Sequence, residues 1–226
     1  GAKPIFADVD RDSGAITPKT IEPLISKKTK AIAVVHLGGW PAEMESISKL
    51  AKANNIALIE DCSQAHGAFI SGRSVGSFGD ISTWSFCQDK IISTGGEGGM
   101  VTTSNEILYN KLWSYKDHGK TLEAIRKANK GNSFKWLHEE LGSNFRLTEM
   151  QSAIGRIQLS HIKTTQAKRE KNAYFLASYL KDLKCLRIPY PKHNLIHAWY
   201  KFYVFLNLEY LNPNWTRDRI ISEISK

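Results

Sequence analysis

Short apolar runs alternate along the first half of the chain with stretches whose apolar positions recur every three or four residues. Pro4 to Val9, Lys30 to Leu37, Ile56 to Glu60, Ile81 to Phe86 and Gly99 to Thr103 read as strands. Between them, Thr17 followed by Pro18 marks a helix start, with proline at the first helical position. Pro41 opens a helix carrying Met44, Ile47, Leu50 and Ala51 on one face, and another helix is expected from about Asn105 to Tyr115. Alternation at this spacing predicts an α/β fold, a mostly parallel sheet with flanking helices. Ligands of such sheets collect at the carboxyl ends of the strands.

The second half has a different texture. Residues 119–140 are polar and lysine-rich, with a short helix expected from Leu122 to Ala128. A proline-free helical pattern then runs from about Leu147 to Leu183, with a bend expected near Gly155. An aromatic strand from His197 to Leu206 and a helix after Trp215, capped by Thr216, complete what reads as the start of a smaller α+β domain.

Composition narrows the class. Of 226 residues, 42% are hydrophobic and 23% charged, which excludes a mainly disordered chain. The formal charge of +9 makes nucleic acid conceivable, yet no helix-turn-helix, zinc-finger or stacking-platform pattern accompanies it. A basic surface equally suits an anionic small substrate such as a nucleotide diphosphate. Cys62, Cys87 and Cys185 show no C-x-x-C spacing, so neither a disulfide framework nor a zinc ribbon is expected, and a cytoplasmic setting is. The seven histidines lack a metal-binding helix pair, so no metal is expected. No apolar run approaches the ~20 residues that cross a bilayer, so no membrane partner is expected.

The chemistry sits after the strands. Asp61 follows Ile56–Glu60 in EDCSQAHG, and Lys90 follows Ile81–Phe86 in SFCQDKIISTGGEGG. Gln64 and His66 add neutral polar contacts, while Ser85 and the glycines allow close approach to a phosphate. Taken singly, a lysine at a strand end is a solvated residue and a glycine cluster a tight turn. No G-K-[ST] follows the glycines, so they do not form a Walker loop.

Taken together and in order, EDCSQAHG, SFCQDK and GGEGGMV resemble the DegT/DnrJ/EryC1/StrS family of pyridoxal-phosphate (PLP) sugar aminotransferases, of PLP-dependent transferase fold type I. GAKPIFADVD, VHLGGWPAEM, KDHG and GSNFRLTEMQSAIGRIQL extend the likeness over nearly the whole chain. The resemblance implies that residues 1–146 form part of a large PLP-binding domain, and that 147–226 form a long helix and part of a small carboxyl-terminal domain. It implies Lys90 as the catalytic amine that joins the cofactor and shuttles a proton, and Asp61 as partner of the pyridine nitrogen. Gln64 would lie by the ring's phenolic oxygen and Ser85 would donate to the phosphate. Asn144 would reach the cofactor phosphate from a neighbouring subunit, with Arg146 close by as a substrate contact, making a homodimer with shared sites.

His66 faces the substrate or is a satisfied core histidine. His36, Cys62 and Cys87 read as structural. Relatives with histidine in place of the lysine are dehydratases; Lys90 favours transamination, from glutamate to a keto group on a nucleotide-linked sugar. The basic 116–135 stretch contacts the nucleotide diphosphate or is a solvated loop. The family's amino-terminal and carboxyl-terminal parts have no counterpart here, so an internal fragment is expected, which leaves cofactor binding by this piece alone open. A regulatory PLP-fold protein without turnover and, on charge alone, a nucleic-acid binder are the alternatives from other classes.

Overall fold

The computed structural model describes residues 1–128 and 138–226. Its centre is a four-stranded sheet of β1 (Ala31–Val35), β2 (Ala57–Asp61), β5 (Ile81–Ser85) and β6 (Gly99–Thr102), in the order β1-β2-β5-β6. The first three run parallel, and β6 joins antiparallel to β5. The α/β reading with a mostly parallel sheet therefore holds. β3 (Phe69–Ile70) and β4 (Arg73–Ser74) form a hairpin that also pairs with β8 (Leu195–Ile196), and β7 (Leu186–Arg187) pairs with β9 (Phe205–Leu206).

Local signals explain most helix boundaries. Thr17 and Thr20 form a reciprocal capping box at the start of α1 (Pro18–Ile21). Asn105 caps α3 (Glu106–Lys116) by accepting from two backbone N–H groups. α4 spans Leu122–Ala128, as expected. Thr148 and Gln151 box the start of α5 (Glu149–Ser160), and Thr216 caps α7 (Arg217–Ile224).

Four expectations are corrected. Pro4 to Val9 is not a strand: Val9 makes one bridge, to Ile16, and among the described residues no neighbouring strand covers Phe6, which is 89% exposed. The helix after Pro41 begins only at Met44, as α2 (Met44–Ala53), because the Ala42 N–H is diverted to the His36 ring. The long helix breaks at His161, between α5 and α6 (Ile162–Leu180), rather than at Gly155. Gly155 stays helical, and a Cβ there would lie 3.0 Å from the Thr94 methyl, so this glycine serves a close approach. His197 to Leu206 is no continuous strand, because Trp199 takes a left-handed backbone (φ 51°) and breaks the extended run.

The core lies on one face of the sheet. Ile32, Val34 and Leu58 pack there against Met44, Ile47 and Ala51 of α2 and against Ile70 and Val75. The opposite face carries Ala31, Ala33 and Val35, which are exposed, and by register Ala57, Asp61 and Thr83 beside them.

Candidate active site

Adjacent acids at the end of β2 point to opposite faces, because side chains alternate along a strand. Glu60 enters the core and is fully buried. Its carboxylate accepts from the backbone N–H groups of Gly76 (2.7 Å), Phe78 (2.7 Å) and Gly79 (2.6 Å). His36 Nε2 adds a contact at 3.2 Å. Since His36 Nδ1 accepts from the Ala42 N–H, Nε2 carries the proton and donates to Glu60. Burial pushes the Glu60 carboxyl up, but His36 and the Gly79 and Gly76 donors outweigh it, and the group lies below its usual range.

His36, Glu60 and Cys62 have ligand atoms within 4.8 Å of one another. Both His36 nitrogens and both Glu60 oxygens are already engaged within the fold, and burial raises the Cys62 thiol. The cluster therefore works as a polar fastening between β1, β2 and the 76–79 turn. This agrees with the structural reading of His36 and Cys62.

Asp61 faces the other way, beside Thr83 by register, and its Oδ1 accepts from the Ser63 N–H (2.9 Å). Two residues beyond Thr83, on the same face, Ser85 ends β5. The carboxylate and the hydroxyl thus leave the carboxyl edge of neighbouring parallel strands, where ligands of such sheets bind. Gln64 uses Oε1 to accept from Gly38 N–H (2.7 Å), which leaves its amide N–H groups to donate elsewhere. That contact ties the loop after β2 to the loop after β1.

Lys90 lies five residues past Ser85, its side chain 16% exposed. Its Nζ is 3.4 Å from Tyr200 Oη and 3.8 Å from Asp89 Oδ1, and Tyr200 in turn donates a short hydrogen bond to Asp89. Burial works to lower the Lys90 pKa, but the Tyr200 hydrogen bond and the neighbouring negative charge outweigh it, and the amine titrates above its ordinary value. His66 is buried against Trp84 and Phe86, with ring centroids 5.4 and 5.8 Å away. Neither of its ring nitrogens has a hydrogen-bond partner among the described residues. Burial, with a smaller push from the nearby Lys90 charge, outweighs the opposing Ser85 backbone and brings its pKa down to about 4, so it is neutral at physiological pH.

Asn144 and Arg146 form a separate exposed group. Asn144 bridges to Asp117, and Arg146 Nε donates to Asn144 Oδ1 at 3.2 Å and pairs with Asp117 at 3.6 Å. Their hydrogen bonds and ion pairs do not extend to Lys90, Asp61 or Ser85. Two cavities, of about 470 and 350 Å³, lie elsewhere: one by Lys30 and Asp80 at the amino ends of the strands, the other by Asp10, Trp40 and Tyr190. The 116–135 stretch falls partly outside the described residues.

Sequence reasoning missed Asp89 and Tyr200. Asp89 adjoins the lysine, but an acid in a loop carries no distinctive pattern. Tyr200 is 110 positions from Lys90, beyond the reach of any local pattern.

The mixed α/β sheet, with Asp61 and Ser85 at the carboxyl edge of its parallel strands and Lys90 in the loop beyond, belongs to the class of the PLP-dependent aminotransferase fold, which solved aminotransferases share with it. The chain belongs to the DegT/DnrJ/EryC1/StrS aminotransferase family, whose model matches residues 1–226. It is similar in structure to an aminotransferase from Psychrobacter cryohalolentis, with a TM-score of 0.94 and 48% identity over 100% of this chain and 59% of that one. A UDP-N-acetyl-3-dehydro-alpha-D-glucosamine 3-aminotransferase of Acidithiobacillus ferrooxidans is 39% identical over 92% of this chain and 53% of its own. A GDP-perosamine synthase of Escherichia coli O157:H7 is 43% identical over 70% of this chain and 41% of its own. The chain spans about half the length of these curated relatives.

The residues present fit PLP. A half-buried primary amine suits its aldehyde, a carboxylate its pyridine nitrogen, and a hydroxyl its phosphate.

Proposed function

We propose that this chain carries the lysine-bearing part of the active site of a PLP-dependent transaminase. The enzyme moves an amino group from an amino-acid donor, glutamate, to a keto group of a nucleotide-linked sugar. The observation that supports this most is the half-buried Lys90 amine following a parallel strand whose neighbour ends in Asp61. The names of the two curated relatives support the substrate class.

Bound PLP supplies an aldehyde that condenses with amines and a cationic ring that accepts an electron pair from the substrate carbon. Lys90 anchors the group through Nζ and, when released, carries a proton at that atom. Asp61, fixed by the Ser63 N–H, would hold the ring nitrogen and favour its protonated form. Ser85 would hold the phosphate through its hydroxyl, and Gln64, its Oε1 already engaged by the Gly38 N–H, would offer its amide N–H groups to the ring oxygen. Neutral His66 lies beside the substrate path. Asn144 and Arg146, exposed in their own subunit, reach the site of a second copy in a homodimer; exposed Met150 and Ile157 on α5 give that contact an apolar face. Residues 1–146 and 147–226 act as parts of the large and small domains. Lysine rather than histidine at position 90 favours transamination over dehydration. Three unpaired cysteines support a cytoplasmic setting.

Lys90→Ala tests the reading. The complete enzyme carrying this change should lose its cofactor absorbance on dialysis and release no 2-oxoglutarate from glutamate in a single turnover. A variant that stays coloured after dialysis and still releases 2-oxoglutarate overturns it.

A further inference from the structure

The loop that delivers Tyr200 to Lys90 is built with unusual care. Trp199, the residue before it, holds a left-handed backbone at φ 51°, a conformation that bulky side chains strongly disfavour. That conformation persists because the flanking chain is pinned on several sides. Ala198 N–H donates to Gly39 O (2.9 Å) and Lys201 N–H to Gly38 O (3.0 Å). Arg169 of α6 donates to Trp199 O (3.1 Å), and Trp199 N–H donates to His197 Nδ1 (2.7 Å). His197 stacks on the Trp199 ring with centroids 4.2 Å apart. Gly39 is required here, since its φ is 94° and a Cβ would lie 3.1 Å from Tyr200 N. The aim of Tyr200 is thus fixed from the turn after β1, from α6 and from its own loop.

What Tyr200 meets is a polar relay. Its hydroxyl donates to Asp89 and accepts from the Lys90 ammonium, while the Lys90 nitrogen also sits 4.9 Å from the ring centroid. Lys201 Nζ lies 4.7 Å from the same ring, and Cys87 and His66 are the other titratable groups around Lys90. A phenol in this arrangement holds the amine at one place and favours its charged form.

We propose that Tyr200, anchored by Asp89, is a positioning residue for Lys90. It parks the amine whenever it is not joined to the cofactor, and it sets the pH at which the amine becomes neutral and nucleophilic. The proposal rests on Lys90 being the reactive lysine, and its test is read without the cofactor so that the two ideas fail separately.

The complete protein, cleared of PLP, is labelled with trinitrobenzenesulfonate between about pH 8 and 10, where only the neutral amine reacts. Labelling of Lys90 is followed by peptide mass spectrometry. Tyr200→Phe keeps the ring and removes the hydroxyl. The Lys90 rate should rise by roughly three- to tenfold at each pH, the profile moving to lower pH, because a hydrogen bond to the charged form is lost. Asp89→Asn, on an exposed side chain, should move the profile in the same direction by less. In the loaded enzyme, Tyr200→Phe should lower kcat with little change in KM for the amino donor. A folded Tyr200→Phe protein whose Lys90 profile overlays the wild type overturns the proposal. If that variant does not fold, an unmoved profile in Asp89→Asn overturns it equally.

Discussion

Removing the Glu60 carboxylate should destabilise the fold well beyond an ordinary core truncation. The carboxylate is fully buried and gathers three backbone N–H groups, at 2.6–2.7 Å, and the His36 ring at 3.2 Å. Glu60→Ala leaves those donors facing a cavity. Each orphaned donor costs about 1–3 kcal/mol, and water entering the cavity relieves part of the sum, so a loss of about 3–5 kcal/mol is expected. For a chain of this size that corresponds to a fall in Tm of roughly 6–20 °C. Glu60→Gln fills the same space but has one carbonyl oxygen for donors that need two, so its loss should be smaller. The pH dependence gives an independent check. Because the folded carboxyl lies below its usual range, its contribution is present above about pH 4.5 and is lost as pH falls through the folded value. Denaturant melts at neutral pH and at about pH 4 measure both effects. A Glu60→Ala change below about 1 kcal/mol, or a Glu60→Gln protein with the wild-type acid slope, would refute the assignment of this carboxylate as the fastening of the sheet.

Acid should weaken the fold before the carboxylates titrate. His66 and His197 are buried and neutral, with pKa values pushed down to about 4 and about 3, so the unfolded chain binds protons that the folded chain refuses. Stability should decline from about pH 6.5 downward, and His197→Gln should flatten that decline; a flat wild-type curve between about pH 6.5 and 5 would contradict it. Gly38→Ala should cost roughly 1–3 kcal/mol in a denaturant melt. Gly38 has φ 63°, and a Cβ would lie 2.5 Å from the Tyr203 ring; a stability equal to wild type would show that the ring moves aside freely.

How much of this was legible in the chain depended on how local the cause is. Thr17 and Thr216 announce their helices because a cap is made within three residues; Asn105 and Thr148 cap theirs in the same way, a local signal that the sequence reading did not use. Strands β1, β2, β5 and β6 were legible because apolar runs between helices have few other uses. Pro4 to Val9 has the same texture, but pairing needs a neighbour, and a strand's neighbour is not written in the strand. Asp61 and Lys90 could be placed because strand ends and motif order mark them. The opposite orientation of Glu60 followed only from register with Val34 and Ser82. The 197–201 loop was unreadable for a related reason. Its backbone is set by Gly38 and Gly39, some 160 positions earlier, and overrides the strand propensity of its aromatic residues.

The separation between Lys90 and Tyr200 has a consequence for biosynthesis. At translation rates of about 5–20 residues per second, the tyrosine leaves the ribosome roughly 5–20 s after the lysine. Throughout that interval the lysine side chain is without the hydroxyl it meets in the folded chain.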